Sequence, residues 1–74
     1  MRTTETISKL LEHHAGVILP AVKYSPDELR SITRSASLNK AHLTLVFGKE
    51  FSDFFITELA AIGGEYLCID LSKD

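Results

Sequence analysis

The chain has 74 residues, 45% of them hydrophobic and 24% charged, with a formal net charge of −2, a pI of about 5.8 and a mean hydropathy of +0.08. That length holds one domain, residues 1–74, which on folding buries only about 60% of the surface its unfolded chain exposes, and the composition is not that of a disordered chain. One cysteine excludes an internal disulfide, three histidines and that cysteine form no zinc-binding spacing, and eight scattered Lys and Arg residues argue against nucleic acid as a partner.

The first six residues lack the apolar run of a secretion signal. The longest apolar stretch, Ala15 to Val22, is far short of the roughly 20 residues that span a bilayer. A cytoplasmic chain with no membrane partner is expected, and the lone thiol of Cys68 suits a reducing compartment.

In chain order, the first helix start is Thr3, with Ile7 at the fourth helical position; Ile7, Leu10 and Leu11 share a face, Gly16 offers a stop, and Val17-Ile18-Leu19 reads as a strand. The second start is the clearest. Ser25 is an N-cap, Pro26 fits the first helical position, Glu28 completes a capping box, and Tyr24 and Leu29 stand where a hydrophobic staple needs them. Leu29, Ile32 and Ala36 form its apolar stripe, Asn39 ends it, and residues 42–47 follow as a strand.

The third start repeats the frame, with Ser52 as cap, Asp53 in the first turn and Phe51 stapling Ile56. Ile56, Leu59, Ala60 and Ile62 make its stripe, Gly63-Gly64 its stop, and residues 66–71 the last strand. Three helix–strand units, about 3–22, 25–47 and 52–71, therefore fill the chain. The self-similarity fits an internal duplication, and equally the generic recurrence of caps and stripes.

Strand-to-strand connections of about twenty residues that contain a helix predict an α/β fold with a parallel three-stranded sheet. Strand 2 alternates Leu43, Leu45, Phe47 against His42, Thr44, Val46; strand 3 alternates Leu67, Ile69, Leu71 against Tyr66, Cys68, Asp70. Alternation signals a sheet covered on one side only. Strand order 1-2-3 with right-handed crossovers puts the helices on that one face, a solenoid-like arrangement, and Pro20 suits an edge strand.

The other face would carry His42, Thr44, Val46, Tyr66, Cys68 and Asp70, with Ile18 or its neighbours, and is the candidate binding surface. Phe54 joins the candidates because adjacent Phe54 and Phe55 cannot both reach one core. Cys68, His42 and Asp70 have the chemistry of a nucleophilic triad, but a mid-strand thiol without a helix N-terminus or oxyanion turn reads as packing, so no catalytic residue is assigned. His13-His14 reads as a helix-end cap or a solvent-exposed pair rather than metal ligands, since neighbouring helical residues point about 100° apart and no second ligand cluster accompanies them. Gly63-Gly64 runs from helix to strand, the reverse of a phosphate loop. Gly48-Lys49-Glu50 lies in a strand-to-helix loop where a small anion could sit, although order 1-2-3 has no switch point there. No motif for a metal or cofactor is present.

Residues 24–32 and 41–45, and more loosely 51–71, resemble the unit of short bacterial helix–strand repeat proteins, in which a serine-capped helix leads to a Val/Leu-Thr strand. The resemblance departs over residues 1–22, where the cap is Thr and the strand contains Pro20. It implies a chain of bacterial or bacterial mobile-element origin with a repeat-like fold and brings no activity or functional residue. The expected function is a non-enzymatic protein–protein interaction module. It would self-associate as a homodimer through the open face or an edge strand. The alternatives are an inhibitor or regulator of a larger host protein, as in phage or plasmid accessory genes, and a small ligand-binding or enzymatic domain using Cys68 and His42.

Overall fold

A computed structural model describes residues 3–73; residues 1, 2 and 74 of the expected domain lie outside the described residues. Three helices alternate with three strands: α1 (Thr4–Glu12), β1 (Val17–Pro20), α2 (Pro26–Asn39), β2 (Leu43–Gly48), α3 (Asp53–Gly63) and β3 (Leu67–Lys73). Short 3₁₀ turns, Ala21–Lys23 and Gly64–Tyr66, follow β1 and α3.

Each helix starts for the same local reason. The side-chain oxygens of Thr3, Ser25 and Ser52 accept from the backbone N–H three residues on, Thr6, Glu28 and Phe55, each at 3.2 Å. These bonds satisfy donors that have no partner within the helix. At α2 the capping box is complete, with Ser25 N–H donating to Glu28 Oε1 at 2.8 Å. Hydrogen bonding from the Ser25 backbone is the main cause that holds the Glu28 carboxyl below its ordinary range.

The helix ends also follow a common plan. A residue with positive φ stands three places before each strand: His14 (φ 62) before Val17, Lys40 (φ 53) before Leu43 and Gly64 (φ 58) before Leu67. At α1, His14 N–H donates to Leu11 O and Ala15 N–H to Leu10 O; at α2, Lys40 N–H donates to Ser37 O and Ala41 N–H to Ala36 O. Both are Schellman closures. The stop of α1 is thus His14, and the expected stop at Gly16 is corrected: the reversal is complete two residues earlier, and a Cβ added at Gly16 would meet nothing within 4 Å. Asn39 ends α2 as expected, its Nδ2 donating back to Ser35 O at 2.9 Å, while the next residue, Lys40, makes the left-handed turn.

The sheet is parallel with order β1-β2-β3. Val17, Leu43 and Leu67 stand side by side, as do Leu19, Leu45 and Ile69, and these rows face the helices. Leu43, Leu45 and Phe47 of the central strand are fully buried with Ile7, Leu11, Leu29, Ile32 and Leu59 from the three helices. The helix stripes and the alternating strands therefore build one core between two layers. Phe47, Phe51 and Phe55 continue it at one end, with ring centroids 5.1 Å and 6.1 Å apart.

Two expected core positions are not core. Leu10 is half-exposed, because the contact of α1 with α2 and the sheet uses Ile7 and Leu11. Leu71 is half-exposed because the ladder with β2 slips between Val46 and Gly48, from Val46 beside Asp70 to Gly48 beside Lys73. The extra β3 residue is a bulge. Its hydrogen-bonding device is local, with Ser72 N–H donating to Asp70 Oδ1 at 2.8 Å.

Candidate functional site

The face of the sheet away from the helices is uncovered. Register places Ile18, Thr44 and Cys68 in one row and Pro20, Val46 and Asp70 in the next. Ile18 is 72% exposed on the edge strand, Cys68 is exposed, and Thr44, Val46 and Asp70 are half-buried by their neighbours. His42 and Tyr66 sit just before β2 and β3, their rings 5.8 Å apart between centroids, and extend the surface beyond the strand starts. Six of the seven sequence-derived binding residues are thus contiguous.

Phe54 is not part of this surface. It is 83% exposed on the outer side of α3, in the helix layer, where it lines a shallow depression with Asp53, Thr57, Glu58 and Ala61. Its separation follows from the fold: α3 turns Leu59 to the core and covers one face of the sheet, so a residue on its outer side cannot reach the other.

Pro20 and Val22 belong to the open surface; from sequence Pro20 stood out only as an edge-strand marker, and Val22 was not singled out. Pro20 shares the parity of Ile18 along β1, a signal the sequence did contain. Val22, 60% exposed, lies in the 3₁₀ turn, where no strand periodicity marks it. At that end Pro20, Val22 and Val46 run into a depression shared with Gly48, Lys49, Glu50 and Lys73. The N–H of Phe55 at the start of α3 is already taken by Ser52 Oγ, which lowers the anion-binding capacity of the adjoining loop.

The face is electrically sparse. Asp70 is its carboxylate, held below the ordinary aspartate range by hydrogen bonds from the Ser72 side chain and backbone, so it is charged at neutral pH. His42 stands at the opposite end, with the Tyr66 ring beside it. Val46, the neighbour of Asp70 across the ladder, lies four residues beyond His42 on the same strand, about 13 Å at the usual rise. Among the described residues no hydrogen bond joins His42 to Cys68 or Asp70. The three side chains share a face without forming a relay. No group of three or more His, Cys, Asp or Glu among the described residues could hold a metal ion, and no helix there is long and apolar enough to cross a membrane.

Both sheet edges are blunted. β1 is four residues long. Val17 N–H donates to His42 O at 3.2 Å, so the polar backbone groups of Val17 and Leu19 turn toward β2 and those of Ile18 and Pro20 turn outward. Pro20 therefore removes a donor from the outer edge. β3 is interrupted by its bulge, and bulges and prolines are the devices that discourage edge-to-edge pairing.

Comparison with known proteins finds no matching family model, no matching curated protein and no matching solved structure.

Proposed function

We propose that this chain is a small non-enzymatic interaction module that pairs with a second copy of itself through the open face of its sheet. The observation that carries the proposal is the uncovered surface of Ile18, Thr44, Val46, Cys68 and their neighbours on a domain whose helices lie on one side only. A sheet is normally packed on both faces, and a second copy supplies the missing layer. The blunted edges favour contact through the face over extension of the sheet. The absence of a relay among His42, Cys68 and Asp70 supports a binding role over a catalytic one.

The face is small, three strands wide and about five residues long, on the order of 15 Å in each direction. A footprint of that size, about 200 Å² on each copy, is well below the roughly 800 Å² per partner of a standard interface, so the association is weak, reversible and dependent on concentration. Sedimentation equilibrium from about 1 to 100 μM tests it. The wild type is expected to self-associate over that range, while Thr44→Glu, which places a charge at the centre of the face, stays monomeric with an unchanged circular dichroism spectrum. A wild type that is monomeric throughout refutes the reading.

A further inference from the structure

The distribution of charge and bulk over the open face decides how two copies can be oriented, an inference that rests on the self-association proposed above. The middle row is Ile18, Thr44 and Cys68; on one side lie Pro20, Val46 and Asp70, and on the other His42 and Tyr66, with Gly16 flanking them at the start of β1. In an aligned face-to-face pair the two-fold axis runs either along the strands or across them.

With the axis along the strands, each row meets its own copy with the strand order reversed. Asp70 then lies against Pro20 of the other copy and His42 against His42. The Asp70 carboxylate then loses water and gains no donor beyond those of Ser72 in its own chain, which is costly, and like groups meet. With the axis across the strands, over the middle row, the two end rows exchange partners. Tyr66 then lies over Asp70, and His42 over Val46 next to that carboxylate. Gly16, around which no atom lies within 4 Å of a notional Cβ, leaves room for Pro20.

We propose that two copies of this chain pack face to face with their strands antiparallel, so that His42 and Tyr66 of each cover Asp70 of the other. Tyr66 Oη and an imidazole N–H are the donors available to the Asp70 carboxylate, whose Oδ1 already accepts from Ser72 N–H within its own chain. The pairing occurs twice per dimer, so any charge change at position 42 counts twice.

The test is a double-mutant cycle on the dimer Kd, measured by sedimentation equilibrium, with thermal unfolding to show that each variant is folded. His42→Glu is expected to weaken the dimer about tenfold or more, and His42→Lys to hold or tighten it. Asp70→Asn keeps an oxygen for Ser72 N–H while removing the charge, and in that background both His42 effects are expected to shrink to less than about twofold. Equal His42 effects in the two backgrounds would overturn the antiparallel arrangement while leaving self-association through the face intact. A wild type that does not associate, or a Thr44→Glu variant that associates normally, would remove the face reading and this orientation with it.

Discussion

The guanidinium of Arg30 forks onto the carboxylate of Glu58, Nε to Oε2 at 2.8 Å and Nη2 to Oε1 at 3.3 Å, tying α2 to α3 across 28 residues of sequence. Arg30 also bonds Asp27 at 3.0 Å and lies 5.3 Å from the centroid of the Phe55 ring. On the other flank, Glu28 accepts from Thr4 Oγ1 at 3.3 Å, so the first turns of α2 contact both neighbouring helices.

The fork makes stability depend on pH in a definite direction. Hydrogen bonding to Arg30 holds the Glu58 carboxyl below its ordinary range. A folded-state value below the unfolded one contributes stability that is complete above the unfolded value, about 4.3, and is lost as pH falls through the folded value. Urea midpoints of the wild type and Glu58→Gln are therefore expected to differ near pH 7 and to converge as pH falls past the unfolded value and through the lower folded one. The difference at pH 7 is expected to be small and to shrink in high salt, because both side chains are about one-third exposed. Arg30→Lys should lose most of it, since an ammonium cannot reproduce the fork.

Gly63 and Thr33 make a close contact between α3 and α2. A Cβ at Gly63 would stand 2.5 Å from Leu67 Cβ and 2.9 Å from Thr33 Cγ2. Neither atom is the free end of a flexible chain, so Gly63→Ala is expected to destabilise by about 1–3 kcal/mol. Gly48→Ala is the control, because its nearest neighbours belong to the flexible Glu50 carboxylate, which can move aside. Thermal unfolding of the two variants should separate them clearly.

At the same contact, the Thr33 hydroxyl is buried and has no hydrogen-bond partner among the described residues. Thr33→Val keeps the shape, including the methyl group against Gly63, and removes the unpartnered oxygen. It is expected to stabilise the fold by on the order of 1 kcal/mol in urea unfolding, even though valine is not a better helix former. A loss of stability would show that the hydroxyl does find a partner in solution.

The left-handed stops at His14 and Lys40 are made by residues that carry a Cβ, whereas the third joint uses Gly64. His14→Gly and Lys40→Gly are each expected to raise stability by about 0.5–1 kcal/mol, since glycine enters this region without the steric cost of a side chain. At Gly64 the pair φ 58, ψ −135 lies outside the left-handed helical well, so Gly64→Ala is expected to destabilise the domain. Chemical denaturation of the three variants checks both signs.

The order of elements, the three capped helix starts and the one-sided sheet were legible in the chain of residues alone. These depend on interactions within about four residues or on a periodicity of two, both written directly in the chain. Ser25 with Glu28, and Leu43-Leu45-Phe47 against Thr44-Val46, are the plainest cases. They also placed His42, Thr44, Val46, Tyr66, Cys68 and Asp70 on one candidate surface. The packed fold alone showed that Phe54 lies on the opposite side of the molecule, that Leu10 and Leu71 leave the core, and that Val22 extends the surface. It likewise decided that Arg30 meets Glu58 and that Gly63 meets Thr33. Such pairs are distant in sequence and become neighbours only when two layers settle at a particular spacing, which propensities and caps do not encode. The end of α1 was half legible: His13-His14 read as capping it, but the stop itself was given to Gly16, because glycine is the usual left-handed residue and here a histidine takes that conformation in the Schellman turn.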